Sequence, residues 1–213
     1  DVEENGISWT KESSQIYQIN QNAGNTTTVS DETATCLKQV LDLSKASGGA
    51  MDPTMGRVIR LWDIDGENPH IPSDDELNSL LENVGYDKVT LDGNKVTMPK
   101  GVTLDLGAAG KGIGCDAAKK ILDADKNVSG MILNLGGSSV MSYGSKPDGS
   151  VWQVAVTDPR DTEGDYLGVV TLNGTEFLST SGDYEKYFIE NGVRYHHILD
   201  PATGYPARSG LTS

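Results

Sequence analysis

One stretch constrains the fold of this chain more than any other: Asp105-Leu-Gly-Ala-Ala-Gly-Lys-Gly-Ile-Gly-Cys-Asp116, with four glycines and a single lysine. Glycine lets backbone approach another group closely, and Lys111 adds a mobile positive charge. Residues 101–106 read as a strand, and 117–122 have helical composition. The start of that helix would present unpaired backbone N–H groups and the positive end of its dipole. Such a junction suits phosphate, although a glycine-rich turn with close helix packing has the same composition. Two specific motifs are excluded by spacing. A Walker loop needs four residues between its first glycine and the Gly-Lys pair, whereas Gly107 and Gly110 enclose two, and no Ser or Thr follows Lys111. Glycines at 110, 112 and 114 give G-x-G-x-G, which is not the G-x-G-x-x-G dinucleotide fingerprint.

Acidic charge sharpens the role of that lysine. Seventeen Lys and Arg against 31 Asp and Glu give a net charge of −14 over 213 residues. This balance disfavours nucleic acid and anionic membranes as partners. The length and a 36% hydrophobic content suit one domain with an ordinary core. Cys36 and Cys115 are too few for a zinc site, and their pairing is open in the sequence. No apolar run approaches a membrane span.

Along the chain, Ser30 caps a predicted amphipathic helix over 31–46 whose apolar positions include Leu37, Val40, Leu41 and Leu43, and Gly48-Gly49 ends it. Ser73-Asp-Asp-Glu76 is a capping box, followed by Leu77, Leu80, Leu81 and Val84 on one face and Gly85 as a stop. Segments 88–91 and 95–98 flank Asp92-Gly93-Asn94 as a hairpin. Further strands are predicted over 131–135, 151–157, 168–172, 176–179 and 194–199. The pattern is α+β, with a mainly antiparallel sheet flanked by helices.

Several segments carry polar groups that a core does not need. Gly48-Gly-Ala-Met-Asp-Pro-Thr54 holds a carboxylate in a rigid turn, where it can serve a ligand or cap its own backbone. Asn134-Leu-Gly-Gly137 follows an apolar strand. Ser179-Thr-Ser-Gly-Asp-Tyr-Glu185 crowds hydroxyls and acids at a strand end, for ligand contact or capping. Tyr195-His-His-Ile-Leu-Asp-Pro-Ala-Thr-Gly-Tyr-Pro206 holds two of the three histidines. Adjacent strand residues face opposite ways, so one of His196 and His197 at most shares a site with Asp200. No Gly-x-Ser-x-Gly elbow or His-Glu-x-x-His helix is present, which disfavours a serine hydrolase or a zinc protease.

Taken together these blocks resemble the ApbE family of FAD:protein FMN transferases, once described as thiamine-biosynthesis lipoproteins. The resemblance runs through Ile7-Ser-Trp9, Ser14-Gln-Ile-Tyr-Gln-Ile-Asn20, Gly49-Ala-Met-Asp-Pro-Thr54, Leu61-Trp62, Asp105-x-x-Ala-x-x-Lys-Gly112, Asn134-Leu-Gly-Gly137, Thr180-Ser-Gly-Asp183 and His197-Ile-Leu-Asp-Pro-x-Thr-Gly204. It implies a single T-fold-like α+β domain over 1–213 and transfer of the FMN half of FAD to a threonine hydroxyl of an acceptor flavoprotein, with AMP leaving and Mg²⁺ required. Carried over, the family pattern puts FAD against Ala50, Met51, Asp52, Asp105, Lys111, Thr180, Ser181, Asp183, His197 and Ile198. Ala108 would offer its carbonyl to the metal. The position of an aromatic residue that covers the flavin in relatives falls on Thr10, with Trp9 beside it. Lys111 would stabilise charge on the phosphates, and His197 or Asp200 would accept or position the proton of the acceptor hydroxyl.

Relatives begin with a strand carrying Met-Gly-Thr and continue past the histidine block to a helix bearing Asp and Thr metal ligands. The resemblance therefore implies a domain lacking its N-terminal strand and its C-terminal metal-binding segment. It also implies an extracytoplasmic, lipid-anchored bacterial protein. Two alternatives share the residues: an FAD pyrophosphatase giving FMN and AMP, and a flavin-binding protein without transferase activity.

Overall fold

The computed structural model describes residues 3–160 and 164–211. After a π-helical turn at Glu3–Ile7 come α1 (Gln15–Gln21), β1 (Thr26–Thr28), α2 (Asp31–Ala46), α3 (Gly56–Trp62), α4 (Asp74–Leu81), β2 (Thr90–Asp92), β3 (Lys95–Thr97) and α5 (Gly107–Ala124). The remainder is β4 (Gly130–Leu135), β5 (Ser139–Gly144), β6 (Trp152–Thr157), β7 (Tyr166–Leu172), β8 (Glu176–Ser179), β9 (Tyr187–Glu190) and β10 (Val193–His196). Every strand ladder is antiparallel. The mixed helix and antiparallel-sheet composition expected from the sequence is what forms.

Contacts divide the chain into two units. The first comprises the chain up to Gly110 together with Lys186–Ser209. Two of its helices, α2 and α4, start at side-chain caps that the sequence offers. Ser30 Oγ accepts from Thr33 N at 3.2 Å, and Asp31 and Glu32 complement the α2 dipole. At α4, Ser73 Oγ accepts from Glu76 N while Glu76 accepts from Ser73 N, completing the box. The core of this unit joins Met55, Val58, Trp62, Ile64 and Leu77, with Leu80, Leu81, Val84, Phe188, Tyr195 and Tyr205 packed against it. Fully buried Trp62 donates from Nε1 to Gly204 O at 2.7 Å, and Tyr195 stacks on it at 5.7 Å.

The second unit is Lys111–Glu185 with Gly210 and Leu211. Its three-stranded sheet has the order β4-β5-β8, and β6 and β7 form a hairpin with a bulge at Val156/Thr157. Cys115 and Leu122 of α5 pack on Met141 of β5. Both cysteines are buried, Cys36 in the first unit and Cys115 in the second.

Two expectations around the glycine stretch need correction. Residues 101–106 are extended, with Val102, Leu104 and Leu106 buried in alternation, but they join no ladder. Their polar groups go elsewhere: Asp105 N donates to Pro53 O, Leu104 exchanges hydrogen bonds with the Asn20 amide, and Thr103 makes only an isolated bridge to Met55. The period-2 pattern reports burial, not pairing. The glycine stretch itself is helix, since α5 starts at Gly107 and not near residue 117. None of its four glycines has positive φ. The i→i−4 ladder and packing outweigh a cost of about 1 kcal/mol per glycine relative to alanine. Close approach accounts for Gly114, where an added Cβ would lie 3.3 Å from Leu135 Cδ1. Elements without strong apolar periodicity escaped the sequence reading altogether: α1, α3, β1, β5 and β9.

A Cβ added at Gly112 meets nothing within 4 Å. Gly112→Ala is therefore expected to stabilise the protein by about 1 kcal/mol, or about 2–4 °C in Tm for a chain of this size. Gly114→Ala should gain nothing. Thermal unfolding followed by circular dichroism checks both, and a Gly112→Ala protein that melts lower would contradict a helical 107–114.

Candidate functional site

The loop after α2 is shaped by its carboxylate. Asp52 Oδ1 accepts from Thr54 N at 2.8 Å and from Thr54 Oγ1 at 2.5 Å, and Oδ2 accepts from Tyr86 N at 2.9 Å. Thr54 Oγ1 in turn accepts from Gly85 N. Asp52 thus ties loop 50–54 to residues 85–86 and caps its own turn. Exposed Ala50 and half-buried Met51 ride on this framework, with Met51 N donating to Ser47 Oγ.

Asp105 ends the extended segment by accepting from Gly107 N through Oδ1 at 2.7 Å, a cap on the first turn of α5. Burial raises its carboxyl above the ordinary value, while the Gly107 N–H and the Arg60 guanidinium pull the other way. Arg60, on α3, also lies 3.7 Å over the Trp9 ring. Such contacts contribute about 0.5–1 kcal/mol when exposed. Trp9 is half-buried and carries this cation on one face, whereas neighbouring Thr10 is exposed with its hydroxyl 3.2 Å from Ser8 Oγ. Gly56 is needed for close approach, since a Cβ there would come within 3.3 Å of Asp105 Cβ and Thr103 O.

In the second unit, Lys111 Nζ donates to Ser138 Oγ. Ser138 belongs to the β4–β5 turn, where Gly136 and Gly137 have φ of 65° and 78° and Gly137 N donates to Asn134 Oδ1 at 2.8 Å. Ser138 O accepts from Thr180 N at 2.8 Å. The Lys, Asn-x-Gly-Gly and Thr180 segments, far apart in sequence, therefore meet at one turn. Ser181 is exposed, and Asp183 pairs with Arg160 at 2.9 Å.

The two histidines divide as strand alternation predicts. Buried His196 is built into the fold, with Nε2 3.0 Å from Ala207 O and Nδ1 accepting from Ile198 N. His197 is half-buried, and its Nδ1 lies 3.3 Å from Lys186 O. With Nδ1–H donating to that carbonyl, Nε2 is left as an acceptor. Burial lowers its pKa, keeping the ring neutral at physiological pH, and Lys186 is paired with Asp65. Asp200 does not bond His197. Its Oδ1 accepts from Ala202 N at 2.9 Å and its C=O from Gly204 N, closing the 200–204 turn. Ala108 is exposed in the first turn of α5. Among the described residues no group of three or more His, Cys, Asp or Glu side chains converges to hold a metal.

Arg60, Ser138, Arg160 and Lys186 were not anticipated. Ser138 alone had a local signal, since it directly follows Asn134-Leu-Gly-Gly137. The others act on groups distant in sequence.

Known proteins resemble this chain along nearly its whole length. The profile of the ApbE family covers residues 2–213. Identity to the FAD:protein FMN transferase of Haemophilus influenzae is 35%, over 95% of this chain and 61% of that protein. The FAD:protein FMN transferase of Treponema pallidum is 32% identical over 97% of this chain and 61% of its own length. The crystal structure of the ApbE protein from Thermotoga maritima superposes with a TM-score of 0.88 at 37% identity, covering 96% of this chain and 66% of that one. The flavin transferase ApbE from Vibrio cholerae gives 0.83 at 29% identity, over 96% and 65%. The chain spans about three-fifths of the length of these curated relatives. A family profile met from residue 2 to residue 213, with its polar blocks folded into defined turns, shows that this chain belongs to the ApbE family.

Proposed function

We propose that this chain serves in transfer of the FMN half of FAD to a threonine hydroxyl of an acceptor flavoprotein, with AMP released. The observation that carries the reading is the Lys111 ammonium held at the Gly136–Ser138 turn beside Thr180. That is a cation at an open glycine turn in a chain of net charge −14. In the reaction the threonine oxygen bonds to the FMN phosphorus, the bond from that phosphorus to the bridging oxygen breaks, and AMP departs with that oxygen. Charge grows on phosphate oxygens, so Lys111 lowers the barrier if it meets them more closely in the transition state than in the ground state. The threonine proton goes to a base. His197 suits this better than Asp200, because its Nε2 is left as an acceptor while Asp200 closes its own turn.

Magnesium dependence is part of the proposal. Ala108 would offer a main-chain carbonyl to the ion, and among the described residues no cluster of three or more His, Cys, Asp or Glu side chains joins it. An extracytoplasmic, lipid-anchored setting is likewise proposed from the family resemblance.

Incubating the protein with FAD, Mg²⁺ and an acceptor domain, with mass spectrometry of the acceptor and quantification of AMP, tests the reading. Flavinylated threonine with matching AMP is the expected result. AMP and free FMN without flavinylation would assign a hydrolase, and bound FAD with neither product would leave only a flavin-binding protein. If His197 is the base, the acid limb of the rate profile should fall below the ordinary histidine value of about 6.5, and His197→Gln should cost roughly 10²–10⁴ in kcat. Asp105 makes a separate prediction. A raised folded pKa means its contribution is favourable below the unfolded value near 3.8 and is lost as pH rises through the folded value. Asp105→Asn keeps an Oδ1 acceptor for Gly107 N. It should raise the unfolding midpoint at pH 7 by an amount that vanishes toward pH 4, while weakening FAD binding. A lower midpoint at pH 7 would show that the Arg60 attraction outweighs burial.

A further inference from the structure

Lys111 differs from the lysines that form ion pairs. Lys38 meets Asp42, Lys119 meets Asp123 and Lys186 meets Asp65, each a carboxylate. Among the described residues Lys111 takes part in no ion pair, and its ammonium donates to the neutral hydroxyl of Ser138. That hydroxyl sits on a well-fixed backbone. Ser138 O accepts from Thr180 N at 2.8 Å, and the preceding turn is closed by Gly137 N donating to Asn134 Oδ1. Gly136 lies against the ammonium, a Cβ there standing 3.4 Å from Lys111 Nζ in ordinary contact, and its φ of 65° favours glycine in the turn. A hydroxyl can orient an ammonium without cancelling its charge, whereas a carboxylate at the same place would do both. In a chain carrying 31 acidic residues, a lysine held by a neutral partner keeps its full charge for an incoming anion.

We propose that Ser138 is a positioning residue: its hydroxyl holds the Lys111 ammonium in place as an uncompensated cation for the pyrophosphate oxygens of a bound dinucleotide. The identity of that dinucleotide as FAD rests on the function proposed above. The charge arrangement rests on this turn alone. Threonine keeps the hydroxyl that orients the ammonium. Electrostatically, an acid at 138 is the harmful change.

Calorimetric titration of the folded protein with inorganic pyrophosphate, and separately with FAD, tests this in Ser138→Asp, Ser138→Ala, Ser138→Thr, Lys111→Gln and the Lys111→Gln/Ser138→Asp double variant. Ser138→Asp should weaken pyrophosphate about tenfold and flatten its salt dependence. Ser138→Ala should weaken it about threefold through lost orientation, and Ser138→Thr should recover most of that loss. In the Lys111→Gln background the added aspartate should cost much less, because its effect runs through the ammonium. An equal loss in both backgrounds, no loss at all, or no pyrophosphate binding by the parent protein would each overturn the role given to Ser138. Should Ser138→Asp melt early, the alanine and threonine pair carries the test. Pyrophosphate binding with the expected pattern but no FAD binding would sink the flavin reading and leave Ser138 standing. FAD binding that ignores every change at 138 would do the reverse.

Discussion

The indole of Trp62 is the fixed point of the first unit. It is fully buried, and its N–H would be costly to leave unmade, so the 2.7 Å hydrogen bond to Gly204 O is an obligation as well as a contact. That bond fastens the turn after β10 to helix α3 across a separation of 142 residues. Tyr195 and Tyr205 close on the ring at 5.7 and 5.4 Å. The histidine block lies between these two tyrosines, so its path follows from how the aromatic cluster packs. Removing the indole would open a cavity and orphan the Gly204 carbonyl together, a combination costing about 3–5 kcal/mol or more.

The carboxylates that the sequence singles out are mostly employed in building local structure within their own units. Asp52 bridges two loops, Asp105 caps α5, Asp200 closes its own turn and Asp183 holds Arg160. Each is a residue type that chemistry could use, and each already accepts from backbone or a cation. This local engagement separates the acids from His197, whose ring meets a backbone carbonyl through Nδ1 and keeps Nε2 as an acceptor. The same reasoning separates Lys111 from the lysines bound to carboxylates. What distinguishes the reactive candidates is the kind of partner they have, and residue type alone does not reveal it.

That distinction explains what could be read from the chain. Caps at Ser30 and Ser73 and the turn at Gly93 act through residues within a few positions, so they were recoverable. Residues 101–106 show where such reading stops. Alternating Val102, Leu104 and Leu106 correctly announced burial, but the partners of that segment are the Asn20 amide and the Pro53 carbonyl, which no local pattern encodes. Asp52 was assigned to a ligand from resemblance, while its bonds to Tyr86 and Thr54 give the capping alternative a physical basis. Arg60 over Trp9 and Arg160 against Asp183 escaped notice because they join segments 51 and 23 positions apart. Lys111 was found because a single cation among glycines stands out in an acidic sequence, and its neutral partner was found only in the fold.

The helix at 107–124 gives the glycine stretch its physical meaning. A chain that needed only a helix here would use alanine, and glycine at four positions costs about 1 kcal/mol at each. Packing inside the protein accounts for part of this. Gly114 faces Leu135, and Gly107 sits 3.0 Å, measured from an added Cβ, from the Asp105 carboxylate that caps it. Gly112 meets no atom within 4 Å, and it directly follows Lys111 on an exposed part of the helix. Internal packing therefore leaves Gly112 unexplained. A bulky anion approaching the Lys111 ammonium would account for a position kept free of side chain at a standing cost in stability, the trade that binding sites commonly make.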